Sequence, residues 1–270
     1  MSNKSAGTLV LVRPGGFGDK WRMAEPDWRR RIGHIGAAVL DFALPPRCPG
    51  CGIIVDQVES FCAECWRQVA FLGDSGCEAC GLPLEGTDAG TCAACLARPP
   101  RIARTRAAVA YDDISRRLVL ALKYSRKVAL ARTMARYMAP LVQAGEDRLL
   151  VPVPLHRGRL WQRGFNQSLI IARALSKRTG VAVAPALLAR TRRTPPLKGM
   201  SAQQRRRTVA AAFKVRDPAA IDGRIIVLVD DVLTTGATAE ACARALRRAG
   251  AARVELISWA RVLRPTQLER

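Results

Sequence analysis

The sequence predicts an α/β protein in which a parallel sheet carries helices on both faces and follows a small cysteine-rich domain. Beyond residue 100, apolar strands without polar alternation are separated by helical segments, a pattern typical of parallel sheets covered on both sides. Before that point, eight of the nine cysteines lie between Cys48 and Cys95. The length of 270 residues and the 49% hydrophobic content suit one large folded domain or two smaller ones.

The sequence shows no sign of a membrane-spanning or secreted protein. No stretch approaches the roughly 18–20 consecutive apolar residues of a membrane-spanning helix. The N-terminus lacks the apolar region and cleavage site of a secretory signal. We therefore expect a cytoplasmic protein with no transmembrane segment, in which thiols stay reduced.

The first 46 residues divide into two segments. Residues 1–26 contain glycine, proline and charged residues without periodicity and are predicted to be a disordered extension. Residues 27–46 are predicted to form an amphipathic helix, because apolar residues recur at helical spacing until Pro45-Pro46 ends the pattern. The basic start of this helix would suit a membrane surface, but we expect it to pack on the cysteine-rich segment.

The cysteine-rich segment, residues 47–100, contains four C-x-x-C pairs at nearly equal intervals. A two-residue spacer lets two thiolates bind one ion, and two pairs complete a tetrahedral Cys₄ site. We predict a double zinc ribbon with two structural Zn²⁺ ions and no open coordination position for catalysis. Sequential pairing is preferred, and interleaved pairing is the alternative. The predicted ligands are Cys48, Cys51, Cys62 and Cys65 for one ion and Cys77, Cys80, Cys92 and Cys95 for the other.

Residues 101–264 are predicted to form the α/β domain, and residues 265–270 a short tail. Strands are predicted at 105–111, 149–154, 224–230 and 253–259, and helices at 114–122, 128–139, 166–179 and 238–249. Asn166 is predicted to cap its helix and Gly180 to end it. Cys242 lies in a predicted helix and is expected to be a buried apolar residue.

The positive charge of the chain is concentrated in one stretch. The net charge is +22, an excess that favours nucleic acid, phosphorylated substrates or an anionic membrane surface as partners. Between Arg148 and Arg216 there are 16 Lys or Arg and no Asp or Glu. We interpret this stretch as one positive surface; a general arginine bias in the composition is the alternative.

The most informative stretch runs from residue 225 to residue 238. A buried strand delivers Asp230 and Asp231 to the carboxyl edge of the sheet, where open α/β sheets bind ligands. A Thr-Thr-Gly-Ala-Thr turn then opens a helix, whose N-terminus and accessible amides favour an anion. The pattern predicts a phosphate in the turn and sugar hydroxyls on the acids; simple helix capping by a threonine is the alternative.

This run resembles the phosphoribosyl pyrophosphate (PRPP) signature of type I phosphoribosyltransferases. The resemblance implies a type I phosphoribosyltransferase-like sheet that binds PRPP together with Mg²⁺. It assigns the ribose 2′- and 3′-hydroxyls to Asp230 and Asp231, which would be the catalytic acids. It assigns the 5′-phosphate to the turn residues Thr234, Thr235, Gly236, Ala237 and Thr238.

Further stretches are similar to the ComF competence family. They are the V-P-V-P-L-H run at 151–156, the R-G-F-N-Q run at 163–167, the Leu122-Lys123-Tyr124 step, the region 194–213 and the double zinc ribbon. The resemblance covers roughly residues 28–262. It implies a role in DNA uptake, natural transformation or repair. Leu197 and Thr208 depart from the residues common in the family and affect only the expected substrate contacts.

Cations are the candidate contacts to the departing pyrophosphate. His156 and Arg157 follow the strand at 149–154 and are the first candidates, although His156 could equally be a structural histidine. Arg163 could bind phosphate or form a salt bridge. The remaining candidate phosphate or DNA contacts lie in one loop that could also be a merely solvated run: Arg192, Arg193, Lys198, Arg205, Arg206 and Arg207.

Three functions fit these features. The first is a Mg²⁺-dependent, PRPP-binding transferase with an unknown acceptor, whose turnover the sequence leaves open. The second is a non-enzymatic module that reuses the fold to bind single-stranded DNA, although an aromatic content of 5% offers few stacking platforms. The third is a nucleotide sensor whose ribbon docks a helicase-like competence protein. Retained carboxylates favour the first, because a DNA groove gains nothing from them.

Overall fold

The computed structural model describes residues 45–84, 90–191 and 212–263. The predicted disordered extension, nearly all of the predicted helix at 27–46 and the tail at 265–270 lie outside these residues. The described residues beyond Pro45 all belong to one compact unit, Pro46–Arg270. This unit contains both the cysteine-rich segment and the α/β segment.

Four parallel strands form the central sheet in the order β1-β6-β5-β2. A second, two-stranded sheet pairs β3 with β4 in antiparallel fashion. The strands are β1 (Arg104–Ala110), β2 (Arg148–Pro152), β3 (Leu188–Arg190), β4 (Phe213–Val215), β5 (Ile225–Leu233) and β6 (Arg253–Arg261). The four predicted strands are those of the central sheet, and the β3–β4 pair was not predicted.

The helices are α1 (Ala63–Gln68), α2 (Ala93–Ala97), α3 (Asp113–Tyr124), α4 (Leu130–Met138), α5 (Arg157–Arg163), α6 (Gln167–Thr179) and α7 (Ala237–Arg248), with 3₁₀ turns at Ala139–Leu141 and Ala219–Ile221. The predicted caps of α6 are confirmed. The Asn166 side chain accepts a hydrogen bond from the Ser168 amide, and Gly180 ends the helix in a left-handed conformation. The sequence did not predict α1, α2 or α5. None of the described helices has the length and apolar content needed to cross a bilayer.

The sheet is covered on both faces, as predicted. Val227 and Val229 belong to a buried cluster that includes side chains of α3, α4 and α6. Ile226 and Leu228 belong to a second cluster that includes α7 and the β3–β4 pair. Consecutive residues of β5 therefore alternate between two apolar layers, which explains why the strand shows no polar alternation. Cys242 is fully buried in the second layer, as expected.

The second half of the cysteine-rich segment packs along the edge of the sheet at β1. The Thr105 amide donates to the carbonyl oxygen of Ala79 at 2.8 Å, and the Leu72 amide donates to that of Ala108 at 3.0 Å. The exposed Asp74 forms ion pairs with the buried guanidinium groups of Arg104 and Arg106. The segment thereby satisfies backbone groups that an open sheet edge would expose.

The first half packs on α3 and α4 through apolar contacts. Cys48, Phe61 and Cys65 are buried in the same cluster as side chains of α3 and α4. The Phe61 ring also lies 5.5 Å from that of Tyr137 on α4, measured between centroids. These contacts make the first metal-binding group part of the main core.

Candidate functional site

The predicted acids lie where β2 stops pairing with β5. The β2–β5 ladder ends at Pro152 and Val229, so Asp230 and Asp231 extend beyond it. The predicted strand end at 230 is wrong, because β5 continues to Leu233. The physical reason is that β6 continues beside it and supplies partners up to Arg261. The carboxylates are therefore held on a rigid strand instead of a loop.

Asp231 is buried and forms an ion pair with Lys123. Lys123 lies in the last turn of α3, and its side chain is only 19% exposed. A buried carboxylate without a cation would be strongly disfavoured, so the Lys123 ammonium group compensates the burial of Asp231 inside the fold. The sequence analysis singled out Lys123 within the Leu122-Lys123-Tyr124 stretch. It did not predict the ion pair with Asp231, because the two residues are more than a hundred positions apart.

Asp230 is more accessible and accepts two hydrogen bonds. The Ser168 hydroxyl donates to Oδ1 of Asp230 at 3.2 Å, and the Asp231 amide donates to the same atom at 2.9 Å. Burial and the neighbouring Asp231 carboxylate raise the pKa of Asp230 from 3.8 to about 7, although the Asp231 amide, Lys123 and the Ser168 hydroxyl act against this shift. Sequence reasoning missed Ser168, although it directly follows the R-G-F-N-Q run.

The raised pKa of Asp230 predicts a pH-dependent effect of Asp230→Asn on stability. Because the folded state disfavours the ionised carboxylate, wild-type stability is lost as pH rises from about 4 through about 7. The amide cannot ionise, and its oxygen can still accept from Ser168. We therefore expect the variant to exceed the wild type in unfolding free energy by more than about 1 kcal/mol at pH 8.5, and by less at pH 5.5.

Urea unfolding of both proteins at the two pH values measures this difference. Asp56→Asn is the matched control, because Asp56 is an exposed residue of the cysteine-rich segment and lies outside the site. A stability difference between Asp230→Asn and the wild type that is the same at both pH values would contradict the raised pKa.

The turn after β5 presents unused hydrogen-bond donors. Within the described part of the chain, the amides of residues 234–238 donate no hydrogen bond, and neither do the three threonine hydroxyls. Thr234 and Thr235 are exposed, and no threonine side chain caps α7. Gly236 adopts φ of 72°, a left-handed conformation in which a side chain would be strained. The capping alternative is therefore not what the structure shows, and the donors point to an anion site.

The loop after β2 places His156 at the start of α5. Nδ1 of His156 accepts a hydrogen bond from the Gly158 amide at 3.2 Å and so caps the helix. Arg157 follows as an exposed first residue of α5. Since β2 and β5 are parallel neighbours, this loop and the acid pair lie at the same edge of the sheet. His156 therefore has a structural role as the cap of α5. Within the described residues, its Nε2 atom remains available for a ligand.

Arg163 lies between α3 and α6. Its guanidinium donates to the amide oxygen of Gln167 at 2.7 Å and lies 5.6 Å from the centre of the Tyr124 ring. Among the described side chains it forms no salt bridge. The other six predicted loop cations, Arg192, Arg193, Lys198, Arg205, Arg206 and Arg207, lie outside the described residues.

A cleft of about 990 Å³ opens beside the loop after β2. Its apolar wall includes Pro154, Leu155 and Phe165, and no acidic residue lines it among the described residues. Its basic lining residues are Arg157, Arg173, Arg190, Lys214 and Arg216. Asn166 connects this cleft to the acid pair, because it also caps the helix that carries Ser168.

The eight thiols of the cysteine-rich segment form two separate groups. In each group the sulfur atoms all lie within 4.8 Å of one another. The groups are Cys48, Cys51, Cys62 and Cys65, and Cys77, Cys80, Cys92 and Cys95. This is the sequential arrangement, and two four-sulfur groups of this kind fit two tetrahedral Zn²⁺ sites.

The two groups share one pattern of amide donors to sulfur. The Cys62 amide donates to the sulfur of Cys48 at 3.4 Å, and the Cys92 amide donates to that of Cys77 at 3.3 Å. Burial opposes ionisation of these two thiols, but the amide donors outweigh it and lower the pKa of Cys48 and of Cys77 to about 6. Thiolates near neutral pH are the form that binds zinc.

Two families match the chain. The double zinc ribbon domain matches residues 39–96, and the phosphoribosyl transferase domain matches residues 166–269. The DNA utilization protein YhgH of Salmonella typhi is 35% identical over 212 residues, which cover 76% of this chain and 90% of that protein. Competence protein F of Haemophilus influenzae is 27% identical over 224 residues, which cover 80% and 96%. Competence protein ComFC of Bacillus subtilis is 25% identical over 203 residues, which cover 72% and 80%.

Solved phosphoribosyltransferases show distant likeness in fold. The glutamine PRPP amidotransferase of B. subtilis gives a TM-score of 0.33 at 19% identity, covering 47% of this chain and 25% of that chain. The adenine phosphoribosyltransferase of Thermoanaerobacter pseudethanolicus gives a TM-score of 0.33 at 15% identity, and the match covers 51% of this chain and 83% of that chain. Likeness at this level carries no argument about activity.

Proposed function

Because this chain belongs to the ComF family, whose members combine a double zinc ribbon with a phosphoribosyltransferase fold, we propose that it binds PRPP with Mg²⁺ in the service of DNA uptake or repair. The observation that carries the proposal is the row of amides at 234–238, which donate to nothing among the described residues. They directly follow two carboxylates on a rigid strand. A sugar with a phosphate at one end and a diol at the other fits such a pair of sites.

In this proposal the 5′-phosphate lies in the turn. The amides and the hydroxyls of Thr234, Thr235 and Thr238 would donate to its oxygens, and the N-terminus of α7 would favour its charge. Gly236 permits the left-handed backbone conformation of this turn. No cation of the turn itself is needed, because the helix terminus and the amides supply the positive potential.

The two acids would have different tasks. Asp230 is the more accessible carboxylate and would accept hydrogen bonds from the ribose hydroxyls. Asp231 is buried and held by its ion pair with Lys123, so its carboxylate would approach the diol from a fixed position. Its backbone amide would also position Asp230, because it donates to Oδ1 of that residue. The carboxylate oxygens of Asp230 and Asp231 are the kind of ligand that Mg²⁺ prefers. The ion would supply positive charge that neutralises the pyrophosphate.

The loop after β2 would contact the pyrophosphate. Nε2 of His156 and the guanidinium of Arg157 would stabilise its negative charge as it departs. Transfer would break the bond between ribose C1 and a pyrophosphate oxygen, with the electron pair leaving on oxygen, while the acceptor bonds to C1. We place the acceptor in the adjacent cleft, whose basic, acid-free lining favours an anionic molecule with an apolar part.

Calorimetric titration of PRPP with Mg²⁺ into the zinc-loaded protein tests the proposal. We expect saturable binding of one PRPP per chain, and weaker binding of ribose 5-phosphate because it lacks the pyrophosphate. The folded state of the zinc-loaded protein is checked by circular dichroism in the same preparation. Absence of any PRPP binding by the folded protein would overturn the ligand assignment.

A second candidate function is binding of single-stranded DNA without catalysis. It is favoured by the cations of the acid-free stretch 148–216, of which Arg157 and Arg159 are exposed and form no ion pair in the described structure. Such cations suit a phosphate backbone. The two functions are compatible, and the PRPP titration together with a DNA titration separates them.

Docking of a helicase-like protein on the ribbon stays a prediction. The first half of the ribbon exposes the side chains of Ile53, Ile54 and Val58, which offer apolar contact area. Loss of co-purification on removal of these side chains alone would support such a partner.

A further inference from the structure

Helix α5 presents a tryptophan that the fold does not use. The Trp161 side chain is 90% exposed, and no residue of α5 is buried. Tryptophan side chains are highly buried on average and are enriched at interfaces, so one that is almost fully exposed is a candidate contact for a partner. Trp161 has no role in the acid pair, the threonine turn or the metal groups described above.

A second exposed aromatic side chain lies at the end of α3. Tyr124 is 72% exposed, and its ring lies 5.6 Å from the guanidinium carbon of Arg163 at the end of α5. The contact brings the ends of α3 and α5 together. We call the surface formed by Tyr124–Lys127 and Arg157–Arg163 the aromatic basic surface.

The charged groups of this surface are cations. Arg126, Lys127, Arg157 and Arg159 are exposed, and within the described residues none of them forms an ion pair. The sequence explains this absence, because no Asp or Glu occurs between Asp113 and Glu146 or between Asp147 and Asp217. The positive charge is therefore not neutralised by neighbours along either segment.

Exposed cations beside exposed rings match an unpaired nucleic-acid strand. Its phosphates need cations at the surface, and its bases expose flat faces that stack on aromatic rings. A duplex offers the same phosphates but keeps its bases stacked inside, so Trp161 would add nothing to its binding. An acidic peptide would use the cations but would leave the indole without a partner.

We propose that the aromatic basic surface binds single-stranded DNA, with a base stacked on Trp161 and phosphates on the surrounding cations. This inference rests on the DNA-handling part of the proposed function and names its contact surface. The surface adjoins the PRPP site, since Lys123 and Tyr124 are neighbours in α3 and Arg157 lines the cleft. A strand bound there would pass beside the acid pair.

Fluorescence anisotropy with a labelled dT20 oligonucleotide tests the inference on the full zinc-loaded chain. We expect Trp161→Ala to weaken binding roughly tenfold, the size of one lost base–aromatic stack, without changing the dependence on salt concentration. Trp161→Phe should restore most of the affinity, because it keeps an aromatic face. Arg159→Ala should instead reduce the salt dependence. Leu96→Ala is the matched control, since Leu96 is a 69% exposed apolar residue on α2.

The outcomes separate this inference from the function on which it rests. Equal dT20 affinity of wild type and Trp161→Ala would overturn the contact surface while DNA binding itself would stand. No binding of dT20 by the wild type would overturn both, and the PRPP titration would still stand by itself. Stacking would be overturned if Trp161→Phe lost as much dT20 affinity as Trp161→Ala. It would also be overturned if Trp161→Ala lost as much affinity for duplex DNA as for dT20. Unchanged PRPP binding in Trp161→Ala shows that the variant is folded.

Discussion

The Asp230→Asn variant is expected to bind PRPP with Mg²⁺ at least about 100-fold more weakly than the wild type at pH 8. The ribose diol would lose two hydrogen bonds to a charged acceptor, each contributing about 1.5–3 kcal/mol. The side chain keeps its shape, and its remaining oxygen can accept from the Ser168 hydroxyl. The loss would therefore reflect the carboxylate charge and not a rearranged site. Calorimetric titration at constant Mg²⁺ measures it.

Two further variants make this result specific. Asp56→Asn removes the same charge from an exposed position on the ribbon and should bind PRPP as the wild type does. The double variant Asp230→Asn/Asp231→Asn should show no detectable binding, with some loss of stability because Lys123 is left without its buried partner. Wild-type affinity in Asp230→Asn would place the diol elsewhere in the molecule.

The second large effect is expected on removal of zinc. The protein should contain two Zn²⁺ per chain, and chelation should unfold both halves of the ribbon, since structural zinc contributes about 10–16 kcal/mol of apparent binding free energy. Loss of the first group should lower the melting temperature of the whole unit, because Cys48 and Cys65 are buried in the main core. Metal analysis and thermal unfolding followed by circular dichroism measure the two effects.

The double variant Cys51→Ser/Cys62→Ser distinguishes the two pairings. The sulfur atoms of these residues lie 3.7 Å apart in one group, so sequential pairing predicts that one Zn²⁺ is lost and one is kept. Interleaved pairing would place the two residues in different sites, and both ions would be lost. Cys242→Ala is the matched control, because this buried cysteine lies outside both groups and should leave two Zn²⁺ bound. Loss of both ions in the double variant would contradict the sequential grouping.

Local signals predicted the central elements well. The apolar run of β5, the Asn166 cap and the Gly180 end of α6 follow from interactions between residues close in sequence. The β3–β4 pair was missed because each strand has only three residues, too few for a periodic pattern. Helix α5 was missed because none of its residues is buried, so it lacks an apolar face.

The candidate site divides in the same way. The chain order of strand, acids and threonine turn was sufficient to predict where an anion and a diol would bind. The different surroundings of Asp230 and Asp231 were not predictable from the sequence. They depend on Lys123 of α3, which pairs with Asp231, and on Ser168 of α6, which donates to Asp230. The low aromatic content predicted few side chains on which bases could stack. It could not predict that Trp161 is exposed, because exposure depends on the packing of the folded chain.

Patterns along the chain were sufficient to predict the cysteine pairs, the turn motif after β5, the alternation of strands and helices, and the acid-free basic stretch. Each of these is a short-range pattern whose chemistry depends on spacing along the chain. Only the folded chain showed which thiols meet, that the ribbon covers the β1 edge, which acid is buried, and that Arg163 of α5 lies over the exposed Tyr124 ring of α3. These are contacts between distant segments, and the free energy that selects them comes from burial and pairing that only the folded chain provides.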